Sequence, residues 1–136
     1  MNRHRHRCLT LREVTNIARI ACGEQGVQFR EPGLLASAVH RPRARMLGVA
    51  AYDDVYEQAA VLLHAIAANH PLIDGNKRTA WLSAAVFLAR NGIDSADVPQ
   101  DAAYDLVIAV ASGRMREIAE IAAGLRGLMG EGEGEG

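Results

Sequence analysis

Between residues 70 and 78 the chain reads His-Pro-Leu-Ile-Asp-Gly-Asn-Lys-Arg. An imidazole, a carboxylate, a glycine, an amide and two cations fall within nine residues. Histidine as a type has a reference pKa near 6.5 and can accept a proton at neutral pH, so His70 suits a general base that strips a hydroxyl during attack. Asp74 is a hard oxygen ligand of the type that holds Mg²⁺ against nucleotide phosphates. Gly75 lets a phosphate approach the main chain, and Asn76 suits a helix cap or a donor to phosphate. Lys77 and Arg78 offer a point charge and a planar fork. The chain carries fourteen arginines and one lysine, and that lysine is Lys77. Arginine would serve wherever only positive charge was wanted. These are the parts that phosphoryl or nucleotidyl transfer requires: a base, a metal ligand and neutralisation of spreading charge. By turn signals alone, Asp-Gly-Asn followed by Lys-Arg is also an ordinary helix–loop–helix connector.

The flanking patterns place this stretch between two helices. Asp53 and Asp54 cap a helix running to about Asn69, with Val55, Ala59, Leu62, Leu63 and Ile66 as its buried stripe. His64 within it reads as a packing or surface residue. Pro71 stops that helix and predicts an extended His70. A second helix runs from Asn76 or Lys77 to Arg90. Its stretch from Thr79 to Ala89 is apolar nearly all round, which predicts the central buried helix of the fold. A loop that feeds its N-terminus offers unpaired N–H groups and a positive dipole end to phosphate. No Walker glycine loop or kinase-type GxGxxG is present.

The remaining elements are also helical. Thr10 to Glu13 is a capping box that opens a helix to about Cys22, closed by Gly23, with Leu11, Val14, Ile17, Ala18 and Ala21 on one face. A short helix spans Pro32 to Val39. Residues 40–52 break the periodicity. Pro42 resists helix, and Met46 to Tyr52 suit a small hairpin or flap. Arg41, Arg43 and Arg45 form either a solvated loop or a surface for an acidic or phosphorylated partner. Helices from Gln100 to Ala111 and from Met115 to Leu128 complete the set.

The 136 residues suit one domain with a single core. Alanine is abundant and aromatics are few, with one Trp, two Phe and three Tyr, which favours an all-α bundle over a sheet. Residues 1–8 read as a disordered basic tail, 9–129 as the domain and 130–136 as a disordered Gly/Glu tail. The net charge of −1 gives no general attraction to nucleic acid or membrane. Two cysteines, Cys8 and Cys22, make neither a disulfide framework nor a metal spacing. The longest apolar run is too short to span a bilayer, and no signal peptide opens the chain. A cytoplasmic location is expected.

The run from His70 to Ala80 resembles the signature of the Fic/Doc superfamily, and its Asn-Lys-Arg ending resembles the death-on-curing (Doc) toxin branch. Glu31 to Val39 and Ala85 to Gly92 are similar to that branch as well, so the likeness covers roughly residues 9–128. It implies a compact helical bundle around a central helix, with a small flap before the motif. In the wider Fic branch a glycine stands at the position of Lys77, and AMP passes from ATP to a protein hydroxyl. The Doc branch implies a kinase of a type II toxin–antitoxin system. ATP is held in the reverse sense, and its γ-phosphoryl goes to a threonine of elongation factor Tu, which halts translation. The resemblance then implies His70 as base, Asp74 as Mg²⁺ ligand and support of the base, and Gly75, Asn76, Lys77 and Arg78 as the phosphate cradle. A Phd-type antitoxin is the implied partner. Leu72 stands where the family commonly has Phe, and Trp81 where AMP-transferring members carry a second arginine. Lys77 obstructs the pose that a glycine permits, and Trp81 cannot replace that arginine. AMP transfer to a protein hydroxyl and a non-catalytic binding module of the same fold are the alternatives.

Overall fold

A computed structural model describes residues 6–130, which form six helices and one two-stranded hairpin. The helices are α1 (Leu11–Cys22), α2 (Pro32–His40), α3 (Val55–Asn69), α4 (Asn76–Arg90), α5 (Gln100–Ala111) and α6 (Ile118–Leu128). The hairpin strands β1 (Arg45–Met46) and β2 (Val49–Ala50) pair antiparallel between α2 and α3. The architecture is the all-α bundle with a small flap that the sequence predicts.

Local chemistry sets the helix starts. Thr10 Oγ1 accepts the Glu13 N–H at 3.1 Å, and the Thr10 N–H donates to Glu13 Oε1 at 2.9 Å, closing the capping box of α1. Asp54 Oδ2 accepts the N–H groups of Tyr56 and Glu57 at 2.9 and 3.1 Å and so caps α3. The hairpin turns through Leu47 and Gly48, both at positive φ (54° and 80°), as a two-residue turn of the right twist requires. Pro42 does not exclude helix after all. It is buried in a short 3₁₀ turn over Arg41–Arg43, where its fixed φ is acceptable in the first turn. α6 starts at Ile118 rather than Met115, because residues 114–117 carry the chain round from the Ser112–Gly113 turn.

The most enclosed helix is α3, not α4 as the apolar run from Thr79 to Ala89 predicts. α3 packs against α2, α4, α5 and α6, and it is buried almost without interruption from Tyr56 to Ala67. α4 packs on α1, α3 and α5 and leaves Val86 and Ala89 outward. The physical reason lies in side-chain size. Thr79, Ala80, Ser83 and Ala84 on α4 are small and fully buried, so they let α4 lie close to α3 without surrounding it. Leu11, grouped with the inner face of α1 by its spacing, is exposed.

Of the basic tail expected over residues 1–8, residues 1–5 lie outside the described residues, as does the tail over 131–136. His6, Arg7 and Cys8 are described and held. His6 Nδ1 lies 2.8 Å from Gln58 Oε1, and Asn91 bonds both the N–H and the carbonyl of Arg7. Arg43 donates to the Leu9 carbonyl and Arg45 to the Gly48 carbonyl, so two of the three loop arginines serve the fold. No helix among the described residues is long and apolar enough to cross a membrane.

One ion pair ties the start of α1 to the end of α4. Arg90 grips Glu13 with both guanidinium nitrogens at 2.8 and 2.7 Å. The Arg90 guanidinium and the Thr10 N–H together hold the Glu13 carboxyl down from its ordinary 4.5 to about 2. A depressed carboxyl stabilises the fold above its unfolded pKa, and that contribution disappears as pH falls from 4.5 towards 2. The pair is partly exposed, so its worth is about 1 kcal/mol. Glu13→Gln should lower the urea midpoint at neutral pH and flatten its decline over that acid window. Equal acid sensitivity in variant and parent would refute the assignment.

Candidate active site

All six residues expected to form the site line one cleft of about 1100 Å³: His70, Asp74, Gly75, Asn76, Lys77 and Arg78. The cleft runs from the end of α1, across the 70–75 loop and the first turns of α4, to the segment 95–107.

His70 is exposed and ends α3, but it is not extended. Its backbone takes the left-handed conformation (φ 53°, ψ 61°), and its N–H donates to the Ile66 carbonyl at 3.3 Å. Pro71 removes the right-handed helical option. The left-handed turn obeys that exclusion, and the bond to Ile66 closes the last turn of α3. For a residue with a side chain this conformation costs about 1 kcal/mol.

The loop that follows is fixed from two sides. Asn76 is buried, and its carboxamide faces back into the loop. Oδ1 accepts the Leu72 N–H and Nδ2 donates to the Leu72 carbonyl, both at 2.9 Å. The side chain is thus committed to the loop, and the part of Asn76 left for an anion is its backbone N–H on the first turn of α4. From the other side, residues 28–31 pair with the loop. Phe29 bridges Leu72, the Ile73 N–H reaches the Gln28 carbonyl, and the Arg30 and Glu31 N–H groups reach the Pro71 carbonyl. Leu72 is 1 % exposed and anchors the loop in the interior.

Arg30 is a positioning residue that the sequence reading does not identify. Its Nε donates to the His70 carbonyl at 2.6 Å and its Nη2 to the Asn69 carbonyl at 2.7 Å. The guanidinium therefore clamps the last carbonyls of α3, where a positive charge also complements the helix dipole. No local signal links residue 30 to residues 69 and 70.

Gly75 begins α4 at φ 85°, and a Cβ there would lie 3.0 Å from Cys22 Sγ. Both the backbone angle and the close approach of α1 call for glycine. Asp74 is exposed. Its Oδ1 accepts the Gly75 N–H at 2.9 Å, and its carbonyl accepts the Cys22 thiol at 3.6 Å. Among the described residues no three His, Cys, Asp or Glu side chains gather to hold a metal. A cation on Asp74 would take its other ligands from phosphate and water, which fits Mg²⁺. Arg78 reaches the Ala21 carbonyl at 3.3 Å and so braces the end of α1. The ion pairs among the described residues are Arg90–Glu13 and Arg126–Asp54, so none ties Asp74, Lys77 or Arg78 to another residue of the loop.

His64 stays outside the cleft. Burial pushes its pKa below the ordinary histidine value, and the nearby Arg41 adds to the push. It is a half-buried packing residue, as its place in the α3 pattern suggests.

Comparison with known proteins places the chain in a family. The family model described as the Fic/DOC family matches residues 8–88. The chain is 44 % identical over 117 residues to a protein named Toxin Doc from Mycolicibacterium smegmatis, covering 85 % of this chain and 88 % of that protein. It is 38 % identical over 106 residues to a protein named Protein kinase doc from Escherichia phage P1, covering 76 % and 79 % of the two chains. With the matched region spanning the capped α1, the hairpin, the clamped loop and most of α4, this chain belongs to the Fic/DOC family and has Doc toxins among its relatives.

Proposed function

We propose that this protein is the toxin of a type II toxin–antitoxin pair, a kinase that transfers the γ-phosphoryl of ATP to a threonine of elongation factor Tu. The observation that carries the reading is the cleft itself. An exposed imidazole, a free carboxylate oxygen, the N-terminus of a fifteen-residue helix and the chain's one lysine share a single wall. The name of the phage relative supports kinase chemistry, and the name of the mycobacterial relative supports a toxin.

The steps follow from the side chains. The acceptor hydroxyl sits against His70, whose imidazole takes its proton as the oxygen attacks the γ-phosphorus. The new O–P bond forms as the bond from the γ-phosphorus to the β,γ-bridging oxygen breaks, and ADP leaves with that electron pair. Lys77, Arg78 and the first N–H groups of α4 neutralise the charge spreading over the phosphoryl oxygens. Asp74 would hold Mg²⁺, which would supply charge neutralisation to the nucleotide phosphates. Lys77 lines the cleft, and its side chain would obstruct a pose in which an α-phosphate lies against the backbone, which favours phosphoryl over AMP transfer. A Phd-type antitoxin that occludes the cleft would silence the toxin.

Intact-mass analysis of elongation factor Tu after incubation with the protein, ATP and Mg²⁺ tests the acceptor. One added phosphoryl group, mapped to a threonine and absent when antitoxin is present, is the expected result. An unmodified factor would discard this acceptor, and an added AMP would replace the kinase by an AMP transferase.

A further inference from the structure

Three consecutive carbonyls at the end of α3 and the start of the loop are held by one residue. The Asn69 carbonyl accepts Arg30 Nη2 at 2.7 Å, and the His70 carbonyl accepts Arg30 Nε at 2.6 Å. The Pro71 carbonyl accepts the Arg30 N–H at 2.8 Å, with the Glu31 N–H beside it at 3.2 Å. Arg30 does this from outside the cleft, which His70 lines and Arg30 does not. The fold gains little from the arrangement. Both guanidinium bonds are exposed, water could satisfy the same carbonyls, and holding an arginine in one rotamer costs side-chain entropy. What the clamp does fix is the backbone on both sides of His70, whose left-handed conformation (φ 53°, ψ 61°) is unfavourable for a residue with a side chain. The His70 ring has no hydrogen-bond partner among the described residues. A catalytic base is ordinarily aimed by a third group bonded to its ring. Here the aim has to come through the backbone.

We propose that Arg30 governs the rate of the chemical step by holding the His70 imidazole in its line of attack, and that it binds neither ATP nor the acceptor. The inference rests on His70 being the base and adds what aims it. Arginine is the side chain that this geometry requires. Its planar fork presents Nε and Nη2 to two neighbouring carbonyls at once, which the point charge of a lysine does not. Without the clamp, residues 69–71 are free to leave the left-handed turn, and the imidazole moves with them. The phosphate-facing start of α4 keeps its own support, because Asn76 is bonded to Leu72 and not to Arg30.

The test compares Arg30→Ala and Arg30→Lys with the parent, as full chains, in steady-state phosphoryl transfer from ATP to elongation factor Tu. Arg30→Ala is also made in the His70→Gly background. Arg30→Ala should lower kcat about a hundredfold, the scale of a 1 Å misplacement. Both KM values should stay in place, the pattern of a group that acts only in the transition state. Arg30→Lys should recover little of the loss, whereas added guanidinium ion should restore Arg30→Ala and leave His70→Gly inactive. In the His70→Gly background Arg30→Ala should cost nothing more, because the two residues act as one unit. An equal loss in both backgrounds, an unchanged kcat, or a raised KM at unchanged kcat would overturn the inference. Full transfer by His70→Gly would instead remove the base reading itself. If the factor takes no phosphate, amide exchange of the ligand-free protein reads the clamp directly. Faster exchange at His70 in Arg30→Ala is then the expected result, and exchange at the parental rate overturns the inference.

Discussion

His70→Gly is expected to lower phosphoryl transfer about 10²–10⁴-fold, the scale of a lost general base, with no loss of thermal stability. The two halves of that expectation have separate causes. The imidazole is exposed, and its loss removes the group that takes the acceptor proton. The backbone sits at φ 53°, ψ 61°, in the left-handed region where helices commonly end on glycine. Glycine there relieves about 1 kcal/mol of strain, which offsets its greater freedom in the unfolded chain. A histidine held where glycine would fold at least as well is a mark of function over stability. Melting followed by circular dichroism, with phosphate transfer measured on the same preparations, checks both halves. A clear fall in Tm would mean that the His70 ring serves the fold. Retained transfer would remove His70 as the base.

Asn76→Ala is expected to destabilise the fold by about 2–4 kcal/mol and to impair transfer as well. Two buried backbone groups of Leu72 depend on the Asn76 carboxamide. Truncation leaves a donor and an acceptor unpaired, each costing about 1–3 kcal/mol. Once released, the 70–75 loop no longer holds His70 and Asp74 against the start of α4, and a displacement of about 1 Å in such a site costs about a hundredfold in rate. A side chain that served phosphate alone would behave differently, because its loss would weaken ATP binding and leave the urea midpoint in place. Urea unfolding of ligand-free protein separates the two roles, and an unchanged midpoint would contradict the structural role of the Asn76–Leu72 bonds.

What was legible in the sequence was what is local in the chain. The Thr10–Glu13 box, the Asp54 cap and the helix from Asn76 to Arg90 each depend on neighbours within a few residues, and they lie where the pattern puts them. The six motif residues share one cleft because they are nearly contiguous. Three features required tertiary information. Arg30 acts on carbonyls some forty residues away, through bonds that no spacing foretells. The enclosure of α3 depends on how many helices surround it, and an apolar stripe records burial without counting neighbours. The conformation of His70 depends on both Pro71 and the pairing of the loop with residues 28–31, and proline alone suggested an extended residue. The α5 end of the cleft was hidden for a similar reason. Tyr104 and Trp81 line one cleft only once α5 packs beside α4.

The most direct test of the central claim is transfer from ATP labelled separately at its α- and γ-phosphates, with elongation factor Tu as acceptor and the His70→Gly protein as control. Phosphoryl transfer with His70 as base gives γ-label on the factor, none from the α position, and neither with the control. Label from the α-phosphate would contradict phosphoryl transfer and assign this cleft to AMP transfer; γ-label undiminished in the control would contradict the role of His70.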